Sequence, residues 1–157
     1  MEDRIPRITN DDIKRIIERD FPENERDRVI KTLNRYKSES EKGRNRVYAA
    51  ILKISDRVAN TLNRFKSERE KRPNRVHAAI LKISDGSVEK VEKNVEVAII
   101  DYRDVLSWAE YPNYFKFVRE DISYKQNFEI PFEKNKQLND DDWQQYNEWL
   151  NKPSSHL

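Results

Sequence analysis

The chain has 157 residues, a length typical of one domain, and its 31 Lys and Arg nearly balance its 29 Asp and Glu. No apolar stretch is long enough to span a membrane, and the first residues lack the apolar core of a secretory signal, so we predict a soluble, cytoplasmic protein. The absence of cysteine excludes disulfides, iron–sulfur clusters and thiol nucleophiles, and two histidines leave little scope for imidazole chemistry.

Two helices are predicted before residue 37. Thr9 or Asn10 is a typical N-cap, with two aspartates in the following turn, and Pro22 ends the first helix. A second helix begins at Glu23. Residues spaced three and four apart are predicted to be buried. They are Ile13, Ile16, Ile17 and Phe21 in the first helix, and Val29, Ile30, Leu33 and Tyr36 in the second.

Residues 28–56 and 57–85 are two copies of one 29-residue sequence, identical at 22 positions and different at seven. Solenoid proteins usually have three or more diverged repeats, because each unit needs neighbours to bury its apolar face. Two nearly identical copies flanked by unrelated sequence instead favour a tandem duplication inside a smaller domain of about 128 residues.

The junction between the two copies carries no helix-ending residue. Neither Gly nor Pro stands near Asp56 and Arg57, and helical spacing continues from one copy into the next. We therefore predict one long helix over about 45–70, which fuses two helices that a turn would otherwise separate. The residues at this spacing are Val47, Ile51, Ile54, Val58, Thr61, Leu62 and Phe65.

The second copy leads into a turn and the most periodic helix of the chain. Pro73 is well placed as a first helical residue, Gly86 suits the left-handed position that ends a helix, and Ser87 suits the next N-cap. The helix that follows is predicted to run to about Glu110, before Pro112. The predicted buried residues are Val76, Ala79, Ile80 and Ile83, then Val88, Val91, Val95, Ala98, Tyr102, Val105 and Ala109.

Aromatic residues dominate the C-terminal arm, residues 113–157. We predict an irregular segment over 113–137 that covers the bundle with aromatic side chains, because Pro131 interrupts an extended stretch. A short last helix is predicted from the cap Asn139. Its face is expected to pack on the bundle, with docking of a partner helix as the alternative. That face comprises Trp143, Tyr146, Trp149 and Leu150.

These elements predict a single all-α domain over 1–157. It is a helical bundle of five principal helices, with a long helix fused across the tandem repeat and an irregular aromatic C-terminal arm.

Positive charge is concentrated in the repeat, where residues 28–85 hold 16 Lys and Arg against six Asp and Glu. A basic helical surface can bind nucleic-acid phosphates. The other interpretation is a solvated bundle exterior, partly neutralised by the acidic C-terminal half. Glycine occurs only at positions 43 and 86, so the sequence contains no glycine-rich phosphate loop.

The polar residues that most strongly indicate a functional site lie in the stretch DYRDVLSWAEYP, residues 101–112. Asp101, Asp104 and Glu110 could act as acid and base or hold a divalent ion. Carboxylate pairs on helices are more commonly charged faces or arginine partners, so we predict no catalytic residue, no metal site and no cofactor. The candidate binding residues are Asp101, Tyr102, Arg103, Asp104, Trp108, Glu110 and Tyr111.

His77 is a further candidate by residue type. It stands where the first copy has Tyr48, and a residue that the copies do not share is weakly indicative of a ligand. We expect an exposed or half-buried side chain.

The segments LNRY, RVHAAILKISDGSVEK and DYRDVLSWAEYP, in this order, resemble a family of small all-α bacterial proteins of unknown function. The resemblance covers about residues 8–115 and is most specific over 101–112. The family has one copy of the 28–56 segment, so the second copy is a departure from it. The resemblance implies an all-α fold and no activity that can be transferred.

Three functions remain open at this point. We expect a non-catalytic protein-binding module, with immunity proteins as one plausible class, in a natural or engineered duplication variant. The alternative is a nucleic-acid-binding protein that uses the basic repeat 28–85, and the third is a metal-assisted hydrolase. No membrane partner is expected. Both copies present the same apolar residues and can compete for one groove, so segment exchange could also give a homodimer.

Overall fold

The first helix begins where the sequence supplies its cap. The Thr9 hydroxyl accepts a hydrogen bond from the backbone N–H of Asp12, and the Asp12 carboxylate accepts one from the backbone N–H of Thr9 at 2.9 Å. This capping box opens α1 (Asn10–Asp20), which ends before Pro22 as predicted.

The computed structural model describes residues 5–52, 72–120 and 130–154, and over these residues it contains helices and no strand. The predicted all-α helical bundle is confirmed. The helices after α1 are α2 (Glu23–Leu52), α3 (Arg72–Ser84), α4 (Val88–Glu110), α5 (Pro112–Glu120) and α6 (Phe132–Leu150).

Helix α4 is the centre of the bundle. It packs against α2 and α3, and it also contacts α5 and α6. The apolar face predicted for it is confirmed, apart from Tyr102, which is half-buried. Its buried residues are Val88, Val91, Val95, Ala98, Val105 and Ala109.

The turn between α3 and α4 is also as predicted. Gly86 has a φ of 74°, and the Ser87 hydroxyl caps α4 by accepting from the backbone N–H of Lys90. A Cβ on Gly86 would lie 2.9 Å from the carbonyl oxygen of Asp20. Glycine is therefore required here both for its backbone angle and for the close approach of α1.

Each repeat copy contributes a helix to the described part of the bundle. Residues 28–52 of the first copy lie in α2, and residues 72–84 of the second copy form α3. Residues 44–72, which we call the intervening segment, number 29, the length of one repeat. The two residues that flank this segment, Gly43 and Pro73, line the same cleft.

Helix α2 corrects the predicted boundaries of the repeat helices. It runs without interruption from Glu23 to Leu52, so no new helix begins near Asn45. The reason is local, since no proline or N-cap motif stands before that position and Gly43 remains helical. The junction at 56–57, and most of the predicted helix 45–70, lie outside the described residues. Ile30 is 44% exposed and not buried as predicted.

The C-terminal arm is more regular than predicted. An irregular segment over 113–137 is wrong where the structure describes it, because α5 fills Pro112–Glu120 and α6 begins at Phe132, not Asn139. Tyr146 and Leu150 are buried as expected, whereas Trp143 is 42% exposed.

The last turn of α6 is held by α1. The Arg19 guanidinium is 5% exposed, donates to the carbonyl oxygen of Trp149 at 2.7 Å and lies over the Trp149 ring. Arg15 donates to the carbonyl oxygen of Leu150 at 2.9 Å. These bonds satisfy carbonyl groups that a helix end leaves unpaired, so the first and last helices are joined.

Candidate functional site

Helix α4 is broken at Asp101, the first residue of the predicted motif. Its backbone is extended there, with φ −148° and ψ 101°, and the helix resumes at once. The Asp101 carboxylate accepts a hydrogen bond from the backbone N–H of Arg103 at 3.0 Å. Asp101 therefore caps the second part of the helix, which allows the break without leaving that donor unpaired.

Arg103 folds back over the same carboxylate. Its Nε and Nη2 donate to the two oxygens of Asp101 at 2.9 and 2.6 Å. This pair and the backbone bond hold the pKa of Asp101 at about 2. The carboxylate therefore stays ionised across the physiological range, and it is engaged by its neighbour rather than poised as a general base.

The break opens a cleft of about 430 Å³ between α2, the start of α3 and α4. Such a volume suits a small ligand or a few side chains of a partner. Apolar, hydroxyl and charged groups share the lining, so the cleft can contact both an apolar group and hydrogen-bonding groups. It is lined by Tyr36, Glu39, Ser40, Gly43, Pro73, Val76 and residues 98–103.

Two isoleucines stand at the break. Ile99 is 37% exposed and Ile100 is 87% exposed, and both border the cleft. A large apolar side chain left almost wholly in water beside a cleft is the kind of feature that marks an interaction site.

The structure gathers only part of the predicted site. Asp101, Tyr102 and Arg103 line the cleft, whereas Asp104 and Trp108 lie on the exposed surface of α4. The other wall, which comprises residues 36–43 and Pro73, was not predicted from the sequence. The repeat contains one indication of this wall. Gly43 and Arg44 of the first copy correspond to Arg72 and Pro73 of the second copy, and these are among the few positions at which the copies differ.

Glu110, also predicted as a binding residue, is 1% exposed and lies in the interior of the bundle. The Arg75 guanidinium donates to both of its carboxylate oxygens at 2.7 Å. Nearby, Lys82 donates to the carbonyl oxygen of Ala109, and burial lowers the pKa of Lys82. The pair of Arg75 and Glu110 joins α3 to the end of α4, and its carboxylate is not accessible to a ligand.

Tyr111 lies at the junction of α4 and α5, where a buried carboxylate acts as a cap. Asp142 on α6 accepts hydrogen bonds from the backbone N–H groups of Asn113 and Tyr114 at 2.8 and 3.1 Å. Burial raises the pKa of Asp142, and these two donors oppose the rise. The first turn of α5 is thus capped from another helix, which positions α6 against it.

His77 is 6% exposed, which corrects the expectation of an exposed or half-buried side chain. Its ring packs edge-on against Tyr36, with centroids 5.7 Å apart, and it is hydrogen-bonded to the backbone of Leu33. Nε2 has no hydrogen-bond partner among the described residues. Burial is the main reason why the pKa of His77 falls from 6.5 to about 4.

The carboxylates considered for metal-assisted hydrolysis do not converge. Asp101 is paired with Arg103, Glu110 is paired with Arg75 in the interior, and Asp104 is exposed. In the part of the chain that the structure describes, no group of three or more His, Cys, Asp or Glu residues is placed to hold a metal ion.

The basic residues of the repeat are partly neutralised by α4. Arg28 donates to both carboxylate oxygens of Glu92 at 2.8 and 2.9 Å, and Arg35 pairs with Glu96. With Arg75 on Glu110, three of the described repeat arginines are engaged by glutamates of one helix. These pairs align α2 and α3 on α4, and they reduce the positive field expected from composition alone.

Comparison with known proteins found no match to a family model, to a curated protein or to a solved structure. Among the described helices, none combines the length and the apolar character needed to cross a membrane.

Proposed function

We propose that this protein is a non-catalytic binding module that recognises another protein through the cleft at the α4 break. The observation that carries the proposal is the position of Ile100, 87% exposed at the rim of a cleft of about 430 Å³. A partner that covers Ile100 and inserts a side chain into the cleft would bury apolar surface on both sides.

The polar groups of the cleft favour a protein segment as the ligand. Glu39 and the Asp101–Arg103 pair place charges of both signs at its edge, so a peptide backbone and mixed side chains find donors and acceptors there. The engagement of Asp101 by Arg103 supports recognition rather than acid–base chemistry. A secreted toxin, as for immunity proteins, is one partner class within this proposal.

The test is capture from the source cell with wild-type and Ile100→Asp protein, followed by binding measurements with the purified partner. We expect the substitution to weaken binding by about thirtyfold, the effect of losing a central interface residue. Phe132→Asp is the matched control, because Phe132 is 77% exposed at the start of α6, away from the cleft lining. Equal binding by the wild type and both variants would refute the proposed site.

Nucleic-acid binding by the repeat is the second candidate. Its support is the excess of basic residues over 28–85, and the glutamate partners of Arg28, Arg35 and Arg75 reduce that support. Retention on DNA that decreases steeply with salt would favour this candidate over the cleft. Elution below physiological ionic strength would count against it.

A further inference from the structure

Helical spacing sets the face that α2 presents to the cleft. Glu39, Ser40 and Gly43 follow Tyr36 by three, four and seven residues, so the four positions share one face of the helix, and all four line the cleft. Gly43 is exposed, and a Cβ placed on it would meet no atom within 4 Å. The lack of a side chain at Gly43 therefore leaves the cleft open at this end.

The charged residues of the lining are paired within the chain. Lys42 donates to the Glu39 carboxylate at 2.9 Å, and Arg103 donates to both oxygens of Asp101. A charged group that entered the cleft would lose its hydration, and the lining would supply only charges that already have partners. The cleft therefore favours an uncharged ligand.

The remaining lining is mainly apolar. Val76 and Ala98 are 1% and 3% exposed and form the buried part of the lining, whereas Ile99 and Ile100 stand at the rim. An apolar group placed among these residues would remove their remaining apolar surface from water, which is favourable.

Two tyrosines, one from each long helix that borders the cleft, favour an aromatic ring as that group. Tyr36 of α2 is 6% exposed and packs edge-on against His77, and Tyr102 of α4 is half-buried. Aromatic rings pack well against other rings in edge-on or offset geometry. The cleft volume of about 430 Å³ exceeds that of any single side chain, so the ring of tryptophan or tyrosine fits. These two residues are also enriched at the energetic centres of protein interfaces.

We propose that the cleft binds one uncharged aromatic side chain of the partner, and that Gly43 keeps the cleft open for it. This binding mode rests on the proposed function and adds to it the class of residue that the partner inserts. The inserted ring contacts Tyr36 and Val76, while the residues that flank the ring in the partner cover Ile100.

The first test needs no partner and uses indole, a neutral aromatic ring, as the probe. NMR spectra of the full-length chain are recorded during titration with indole, and we expect saturable shifts of the Val76, Ala98 and Ile99 resonances. Benzylammonium and benzoate, which carry charged groups on a ring, should bind about tenfold more weakly. Equal binding of the three probes overturns the proposal, and so does the lack of saturable shifts at these residues with indole.

Gly43→Leu tests the open end of the cleft. Leucine favours a helix more than glycine does, and the new Cβ meets no atom within 4 Å, so we expect the variant to fold. The side chain occupies the cleft face of α2, and indole binding should weaken by about tenfold. Asn34→Leu is the matched control, because Asn34 is exposed on α2 and lies outside the lining. Indole binding by Gly43→Leu that equals the binding by Asn34→Leu overturns the proposal.

A purified partner separates this binding mode from the proposed function. Gly43→Leu should weaken binding of the partner as Ile100→Asp does, whereas Asn34→Leu should leave it unchanged. If only Ile100→Asp weakens the binding, the partner covers the rim without inserting a ring, which overturns the inference and retains the proposed function. If indole binds as expected but no protein binds through Ile100, the proposed function fails and the inferred chemistry of the cleft is supported.

Discussion

At the scale of single residues, protonation of the buried His77 ring opposes folding. Its neutral ring lies edge-on to Tyr36 and its pKa is lowered to about 4, chiefly by burial. A group with a lowered pKa binds its proton more tightly in the unfolded chain. The contribution of neutral His77 to the free energy of unfolding is therefore fully present above pH 6.5 and is lost as the pH falls towards 4. The shift corresponds to about 3 kcal/mol of unfolding free energy.

We therefore predict that His77→Asn has a flatter dependence of urea-unfolding free energy on pH between 4 and 6.5 than the wild type. Asparagine keeps an N–H donor for the backbone of Leu33 and does not titrate in this range. His156→Gln is the control and should retain the wild-type dependence. The same slope for His77→Asn and the wild type would contradict the assignment.

The pair of half-buried Arg75 and buried Glu110 supports a second prediction at this scale. Glu110→Ala removes the carboxylate that Arg75 binds at 2.7 Å, so we expect a loss of about 2 kcal/mol in urea unfolding. Replacing both residues by leucine should restore part of this loss. Glu92→Ala, which removes an exposed partner of Arg28, should cost far less. Equal losses at positions 92 and 110 would show that burial of the pair is unimportant.

At the scale of the elements, the two glycines of the chain predict opposite effects. Gly86→Ala strains a φ of 74° and brings Cβ within 2.9 Å of Asp20, so we expect a loss of about 2 kcal/mol. Gly43→Ala lies in a helix with no neighbouring atom within 4 Å of the new Cβ, so we expect a gain of about 0.5–1 kcal/mol. Thermal and urea unfolding of both variants check the pair. A gain for Gly86→Ala would contradict the close packing of α1 on the turn.

The helix boundaries that the sequence predicts are those with local signals. Thr9 caps α1 and Ser87 caps α4 from within their own segments, and Gly86 meets a backbone requirement at its own position. The start of α5 could not be predicted in this way, because its cap is Asp142, 29 residues away from Asn113. A pattern of neighbouring residues in the sequence does not indicate such a long-range hydrogen bond.

The break in α4 escaped prediction for a different reason. Asp101 fits the helical spacing of its neighbours, and only its extended backbone and its bond to the N–H of Arg103 reveal it as a cap. One wall of the cleft was therefore predicted as a set of residues but not as a cleft. The other wall depends on tertiary packing, because its residues on α2 lie more than 50 positions before the break and Pro73 lies 28 positions before it.

Buried polar groups were the least predictable. Arg19 is 5% exposed although arginine usually lies on the surface, because α6 supplies carbonyl groups and a tryptophan ring to receive it. Glu110 was predicted to be a binding residue because of its residue type. It lies in the interior instead, where its carboxylate is paired with Arg75.

At the scale of the whole molecule, we predict that the chain still folds without residues 44–72. Deleting them joins Gly43 to Pro73, which line the same cleft, and keeps every buried contact of the described residues outside that segment. We predict a folded chain of about 128 residues with cooperative unfolding, stabilised by about 2 kcal/mol or less through the shorter connection. Urea unfolding followed by circular dichroism checks this. A chain that does not fold after the deletion would make the intervening segment structural.

Arg15 and Arg19 of α1 donate hydrogen bonds to the last turn of α6, so the first and the last helices of the bundle meet at one corner. A short linker could therefore join the start of α1 to the end of α6, and new termini at another exposed position would give a circular permutant.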